Sequence, residues 1–146
     1  MKVPLAAVGF IDGGARGNPG EAGCGVVIEL SDGRRETHTL FLGVTTNNVA
    51  EYAALLALLE RARAIGVTSL QARSDSELLV KQVNGEYRVK AAHLQPLWLR
   101  AAELRRGLVR FSITHVRREA NAQADSLANR AMDERVSSLP RPQGMQ

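Results

Sequence analysis

The chain has 146 residues, 45% hydrophobic and 23% charged, a size and balance that suit one compact domain with a real core. Nineteen Lys and Arg against fifteen Asp and Glu leave a net charge of +4, which permits an anionic partner without requiring one. The single cysteine, Cys24, excludes an internal disulfide, and no stretch approaches the roughly 18 apolar residues of a membrane span.

Residues 1–8 lack the order of a secretory leader, so the expectation is a soluble, cytoplasmic monomer with no membrane partner. Residues 3–11 form an apolar β-rich run, closed by an Asp12-Gly13-Gly14 turn and a loop through Gly17-Asn18-Pro19-Gly20. Residues 25–30 read as a second strand, Ser31-Asp32-Gly33 as a hairpin turn, and residues 36–42 as a third strand with alternating pattern. Cys24 opens the second strand between two glycines and reads as a buried structural thiol. The period then switches. Residues 50–65 carry Ala54, Leu55, Leu58, Leu59 and Ala62 at helical spacing, and Gly66 ends the helix. A strand over 69–74, a helix over 76–83, a turn at Asn84-Gly85 and a helix over 94–105 follow. Trp98 lies on the apolar side of that helix, where core packing is favoured over base stacking. A fifth strand over 110–116 and a last helix over 121–132 complete the pattern. The domain is expected to span 1–135, and the Pro- and Gly-rich segment 136–146 to be disordered.

A three-stranded meander followed by helix–strand units is an α/β architecture. The expectation is a five-stranded mixed sheet, three antiparallel strands then two parallel ones, flanked by helices. Right-handed crossovers let the fourth strand lie parallel to the first, so Asp12 and Asp75, which follow those strands, meet at one edge of the sheet. Asp12 also suits a turn, and Ser74-x-x-Glu77 matches a capping box that would occupy Ser74 or Asp75 at a helix start. Glu51 could act at the start of its helix, yet it shares a face with Leu55, Leu58 and Ala62, so its charge points toward the core and needs a partner. Asp125 lies early in the last helix, where it suits the helix dipole, and it borders the apolar side made by Leu127, Ala128 and Ala131. Four carboxylates brought together repel one another and ask for divalent cations. An all-oxygen set suits Mg²⁺ or Mn²⁺ and not zinc.

The same residues carry a family resemblance. Phe10-Ile11-Asp12-Gly13-Gly14 with Gly17-Asn18-Pro19-Gly20 resembles the opening motif of type 1 ribonuclease H. Thr45-Thr46-Asn47-Asn48-Val49-Ala50-Glu51, Ser74-Asp75-Ser76 and residues 118–129 around Asp125 resemble its second, third and fourth motifs, in order. The resemblance implies an endonuclease that hydrolyses the RNA strand of RNA–DNA hybrids, leaving 5′-phosphate and 3′-hydroxyl ends. It implies Asp12, Glu51, Asp75 and Asp125 as catalytic metal ligands holding two Mg²⁺ or Mn²⁺ ions when substrate is bound. It further implies Asn18 and Asn47 on the RNA strand, Thr46 on a DNA phosphate, and the backbone at Gly13 and Gly14 near ribose 2′-hydroxyls.

Two features depart from the best-known bacterial pattern. Residues 84–93 form a short connection with only Arg88 and Lys90 basic, in place of a basic helical protrusion, so the chain resembles the compact handle-less subgroup. Substrate grip is then expected from Lys81, Arg88, Lys90 or the Arg117-Arg118 pair, and double-stranded RNA is a second candidate substrate. His115 matches the spacing of a loop histidine of the family, but its segment reads as a strand, which favours a structural strand-end histidine. A non-catalytic module that binds hybrid or double-stranded RNA is the alternative from another class.

Overall fold

A computed structural model describes residues 4–145. Five strands form one sheet: β1 (Ala6–Gly17), β2 (Gly20–Leu30), β3 (Arg35–Thr45), β4 (Ser69–Ser74) and β5 (Arg110–His115). Their order is β3-β2-β1-β4-β5; β1 to β3 pair antiparallel, and β4 and β5 add in parallel. The helices are α1 (Asn47–Ala64), α2 (Glu77–Val83), α3 (Gln95–Arg105) and α4 (Ala122–Glu134), the last preceded by a 3-10 turn at Arg118–Asn121. The expected mixed sheet with flanking helices is therefore the fold, while the expected strand at residue 3 begins outside the described residues.

The first strand is longer than its apolar run. Asp12-Gly13-Gly14 is no turn: β1 stays paired with β2 from Ala7↔Leu30 to Gly17↔Gly20, and the chain reverses only at Gly17 to Gly20. Gly17 there has a φ of +101°, which suits glycine. The expected turn failed because Asp-Gly is a turn signal only where backbone partners are missing, and β2 supplies them here. The β1–β4 pairing, by contrast, ends at Ile11↔Ser74. Asp12 and Asp75 are the next residues of two parallel strands, side by side beyond their last shared rung.

Helix α1 is buried nearly all round, from Ala50 through Leu59, because the sheet covers one side and α3 lies against another. Helix α4 covers the opposite face of the sheet at β2. Both seats depend on missing side chains. A Cβ at Gly13 would lie 2.3 Å from the Ala50 carbonyl oxygen, and one at Gly25 would lie 2.1 Å from that of Ala124. Cys24 is buried beside Gly25, its thiol donating to the Ala50 carbonyl at 3.3 Å. Trp98 packs against the core, and its indole N–H donates to the Gln82 carbonyl at 3.0 Å.

The segment after α4 differs from the expectation of disorder. Ser138 N–H donates to the Thr39 carbonyl at 2.8 Å, and Thr39 N–H donates to the Ser138 hydroxyl at 2.9 Å. Phe41 N–H donates to Ser137 Oγ at 2.9 Å, while Leu139 and Met145 join the core. The composition suggested a free tail, but the outer edge of β3 has unpaired backbone groups and an apolar margin that this segment covers. Only Gln146 of the expected tail lies outside the described residues. Deleting residues 136–146 is expected to cost about 2–4 kcal/mol through the lost burial of Leu139 and Met145. In a thermal melt this appears as a Tm lower by roughly 10 °C, and an unchanged Tm would contradict the packing described.

Candidate active site

Three acids from three elements meet beyond the β1–β4 ladder. Asp12, Glu51 and Asp75 each offer a carboxylate oxygen within 4.8 Å of the others. Asp125, in the first turn of α4, lines the same cavity as Asp12 and Asp75 and lies close enough to Asp12 to help raise its carboxyl. Asp12, Glu51 and Asp75 are thus together with Asp125 on the same cavity, and the first three do not serve the local roles that competed for them, while Asp125 does sit in the first turn of its helix. Helix α2 is capped by Ser76, whose hydroxyl accepts from Leu79 N–H at 3.2 Å, leaving Asp75 free. Ser74 is also no cap: it is fully buried, and its hydroxyl accepts from Ser76 N–H at 3.0 Å. Helix α1 is capped by Thr46, which accepts from Val49 N–H at 3.3 Å, so Glu51 has no capping duty. Instead Glu51 Oε1 accepts from Gly13 N–H at 2.7 Å, tying α1 to β1 one residue past Asp12.

Asn121 supplies a tie that sequence reasoning did not single out. It is 1% exposed, and its Nδ2 donates to the Ile11 carbonyl at 2.8 Å. The start of α4, and with it Asp125 four residues on, is thereby fixed to the residue before Asp12. Its position within the fourth motif was visible in the sequence; the partner across 110 residues was not.

Burial and crowding raise the affinity of Asp12 and Glu51 for protons. Burial pushes the Asp12 carboxyl up to about 9, with the charges of Glu51 and Asp75 and the contact with Asp125 adding to it. Burial pushes Glu51 up to about 7 against the opposing hydrogen bonds from Gly13 N–H and the Ser76 hydroxyl. Such a cluster is short of positive charge. Its donor set is oxygen alone, at spacings a cation can bridge, so Asp12, Glu51 and Asp75, with Asp125 beside them, fit hard divalent ions.

Asp12, Asp75 and Asp125 line an open cavity of about 690 Å³ that also takes in Gly13, Gly14, Asn47 and Asn129. Arg16, His115, Arg117 and Arg118 also line it. His115 ends β5, paired with Ser74 as expected for a strand-end residue, and its side chain is exposed toward the cavity. Of the basic residues considered for grip, Arg117 and Arg118 reach this cavity. Lys81 pairs with Glu77 at 3.0 Å and lies over the Tyr87 ring, while Arg88 lines a separate cleft with Trp98.

Asn18 and Asn47 form a relay. Asn18 Oδ1 accepts from Asn47 N–H at 3.0 Å, and Asn47 Oδ1 accepts from Ala15 N–H at 2.7 Å. Only a carboxamide oxygen can accept, so these bonds fix both groups with their NH₂ ends free as donors. The two glycines differ. Gly13 is needed by α1, whereas a Cβ at Gly14 would meet nothing closer than 4.0 Å and would project into the cavity.

The family model described as reverse transcriptase-like matches residues 10–131. The chain is 42% identical over 126 residues to the ribonuclease HI of Halobacterium salinarum, covering 86% of this chain and 63% of that protein. The crystal structure of that archaeon's RNase H1 superposes with a TM-score of 0.85 at 41% identity, over 88% of this chain and 98% of that one. A bifunctional protein of Mycobacterium tuberculosis is 40% identical over 145 residues, and this chain spans 37% of its length. LC11-RNase H1, isolated from compost, was solved in complex with an RNA/DNA hybrid; it matches at 40% identity and TM-score 0.82, over 88% of this chain and 98% of that one.

The raised carboxyls set a pH dependence. Unfolded, Asp12 and Glu51 lose their protons near 3.8 and 4.5; folded, they hold them to about 9 and about 7. Between those limits the folded state binds more protons, so without metal its stability falls as pH rises from about 4 to about 9. Glu36, which its hydrogen bonds to Arg61 hold at about 2, loses its contribution only in acid, below this window. Melts in EDTA should show Tm falling from pH 5 to pH 9, with Asp12→Asn flattening the decline. Mg²⁺ or Mn²⁺ should raise Tm more at pH 8 than at pH 5; equal shifts would count against cation binding at these acids.

Proposed function

We propose that this chain, which belongs to the type 1 ribonuclease H family, hydrolyses the RNA strand of RNA–DNA hybrids with Asp12, Glu51, Asp75 and Asp125 as its catalytic carboxylates. The observation that carries the reading is the meeting of Asp12, Glu51 and Asp75 within 4.8 Å, at an open cavity large enough for a nucleic-acid backbone. The hybrid bound in the LC11-RNase H1 structure supports the choice of substrate.

Two Mg²⁺ or Mn²⁺ ions held by the four carboxylates would activate a water and neutralise charge on the leaving oxygen. The protein's own part is to hold the strand so that one phosphodiester faces the acids. The free NH₂ ends of Asn18 and Asn47 donate to the RNA strand, held in place by their backbone-bonded oxygens. The Thr46 hydroxyl accepts from Val49 N–H and still has a proton to donate, which suits a phosphate oxygen of the DNA strand. The bare backbone at Gly14 lets the ribose edge come close, and a 2′-hydroxyl there distinguishes RNA from DNA. The Gly13 backbone is the floor of the same approach. Water adds at phosphorus and the bond to O3′ breaks, so the ends are a 5′-phosphate and a 3′-hydroxyl.

The test is a cleavage assay on hybrid, double-stranded RNA and double-stranded DNA, with Mg²⁺, Mn²⁺ or EDTA. Cation-dependent cleavage of the hybrid is expected, and Asp12→Asn should lower it at least about 100-fold while hybrid binding remains measurable. Binding without cleavage by the wild-type chain in either cation would instead support a non-catalytic binding module. Gly14→Ala tests the ribose contact: with open space around its Cβ it should melt within a few degrees of wild type, yet cleave hybrid with a clearly higher KM. An unchanged KM would remove Gly14 from the substrate-binding set.

A further inference from the structure

The carboxylate cavity has an arginine that none of the recognised motifs explains. Strand β1 continues past the acids, and its alternation puts Asp12, Gly14 and Arg16 on one face. Along α4 beside it, Asp125, Asn129 and Asp133 recur every four residues, also on one face. The two rows run together. Asp12 and Asp125 line the cavity at one end, and Arg16 meets Asn129 and Asp133 at the other, with Arg16 Nη2 donating to Asn129 Oδ1 at 3.1 Å and Nη1 paired to Asp133. Asn129 is itself held, its Nδ2 donating to the Asp125 carbonyl at 3.0 Å.

As a structural brace this arrangement contributes little. The Arg16 and Asp133 side chains are 47% and 58% exposed, and ion pairs so open to water contribute about 0–1 kcal/mol. As a phosphate site it is well placed. Asp12, Asp75, Asp125 and Glu119 repel a phosphate backbone, Arg117 and Arg118 offset them in part, and Arg16 lines the same cavity about 13 Å along the strand from Asp12. A guanidinium donates two parallel hydrogen bonds from its fork to phosphate oxygens as readily as to a carboxylate, and an exposed carboxylate holds it only weakly.

We propose that Arg16 is a substrate-binding residue whose guanidinium leaves Asp133 to take a phosphate of the RNA strand beyond the one cleaved. The inference rests on hybrid cleavage being the chain's activity, and the wild-type assay tests that separately. Asn129 keeps the guanidinium aimed along the groove, and Asp133 holds it while no substrate is bound. Asp133 therefore competes with the phosphate.

The experiment measures steady-state hybrid cleavage across a salt series for wild type, Arg16→Ala, Asp133→Asn and the double variant. Arg16→Ala should raise KM about five- to tenfold at low salt with kcat within about twofold, and should shallow the slope of log KM against log salt by about one phosphate contact. Asp133→Asn should lower KM about twofold, and this gain should vanish in the Arg16→Ala background. A brace would behave differently, because both single variants would then loosen the same end of the groove and shift KM in the same direction. An Arg16→Ala KM within twofold of wild type, an unchanged salt slope, a raised KM for Asp133→Asn, or a gain that survives without Arg16 would each overturn the assignment.

Discussion

Everything at the candidate site depends on how closely two helices sit on the sheet where β1 and β2 lack side chains. At Gly13 the strand backbone touches the first turn of α1, and at Gly25 it touches the first turn of α4. A Cβ at either position would push a helix away by an ångström or more. The acids those helices carry, Glu51 and Asp125, would then move away from Asp12. Topology brings Asp75 alongside Asp12; the glycines bring the other two. Hydrogen bonds then fix the seats, from Gly13 N–H to Glu51 on one face and from Asn121 to the Ile11 carbonyl on the other.

This arrangement carries an electrostatic cost. Burial and mutual repulsion hold Asp12 and Glu51 in their protonated range well above that of free carboxyls. A fold gains no stability from such a cluster without cations. Nearby hydroxyls and amides are occupied in ways that leave these acids free: Ser76 and Thr46 cap the helices, and Asn18 and Asn47 commit their oxygens to backbone. The capping roles that Glu51 and Asp75 could have filled are filled by Thr46 and Ser76. Under the proposed function these acids would hold the cations, with donors beside them for a phosphate backbone.

Much of this was legible in the sequence, and the failures have physical reasons. The period change from strands to helices gave the element order, and the crossover rule gave the Asp12–Asp75 pair, because both are local or topological. Strand β1 was cut short because Asp12-Gly13-Gly14 carries turn chemistry; only the pairing with β2 shows that it continues. That error hid Arg16, since alternation places it on the face of Asp12 only once the strand extends to Gly17. The capping box at Ser74 matched in sequence, yet Ser74 is the buried last residue of β4 and Ser76 caps in its place. Composition also suggested disorder for a segment that covers the edge of β3, a tertiary contact with no local signal.

The central claim is that close helix seating assembles a four-carboxylate site for divalent cations. Anomalous diffraction from crystals soaked in Mn²⁺ with a non-cleavable hybrid tests it most directly. The account predicts two manganese peaks about 4 Å apart, bounded by Asp12, Glu51, Asp75 and Asp125. Ordered hybrid in the groove with no manganese at these carboxylates, or with the four acids more than about 8 Å apart, would contradict it.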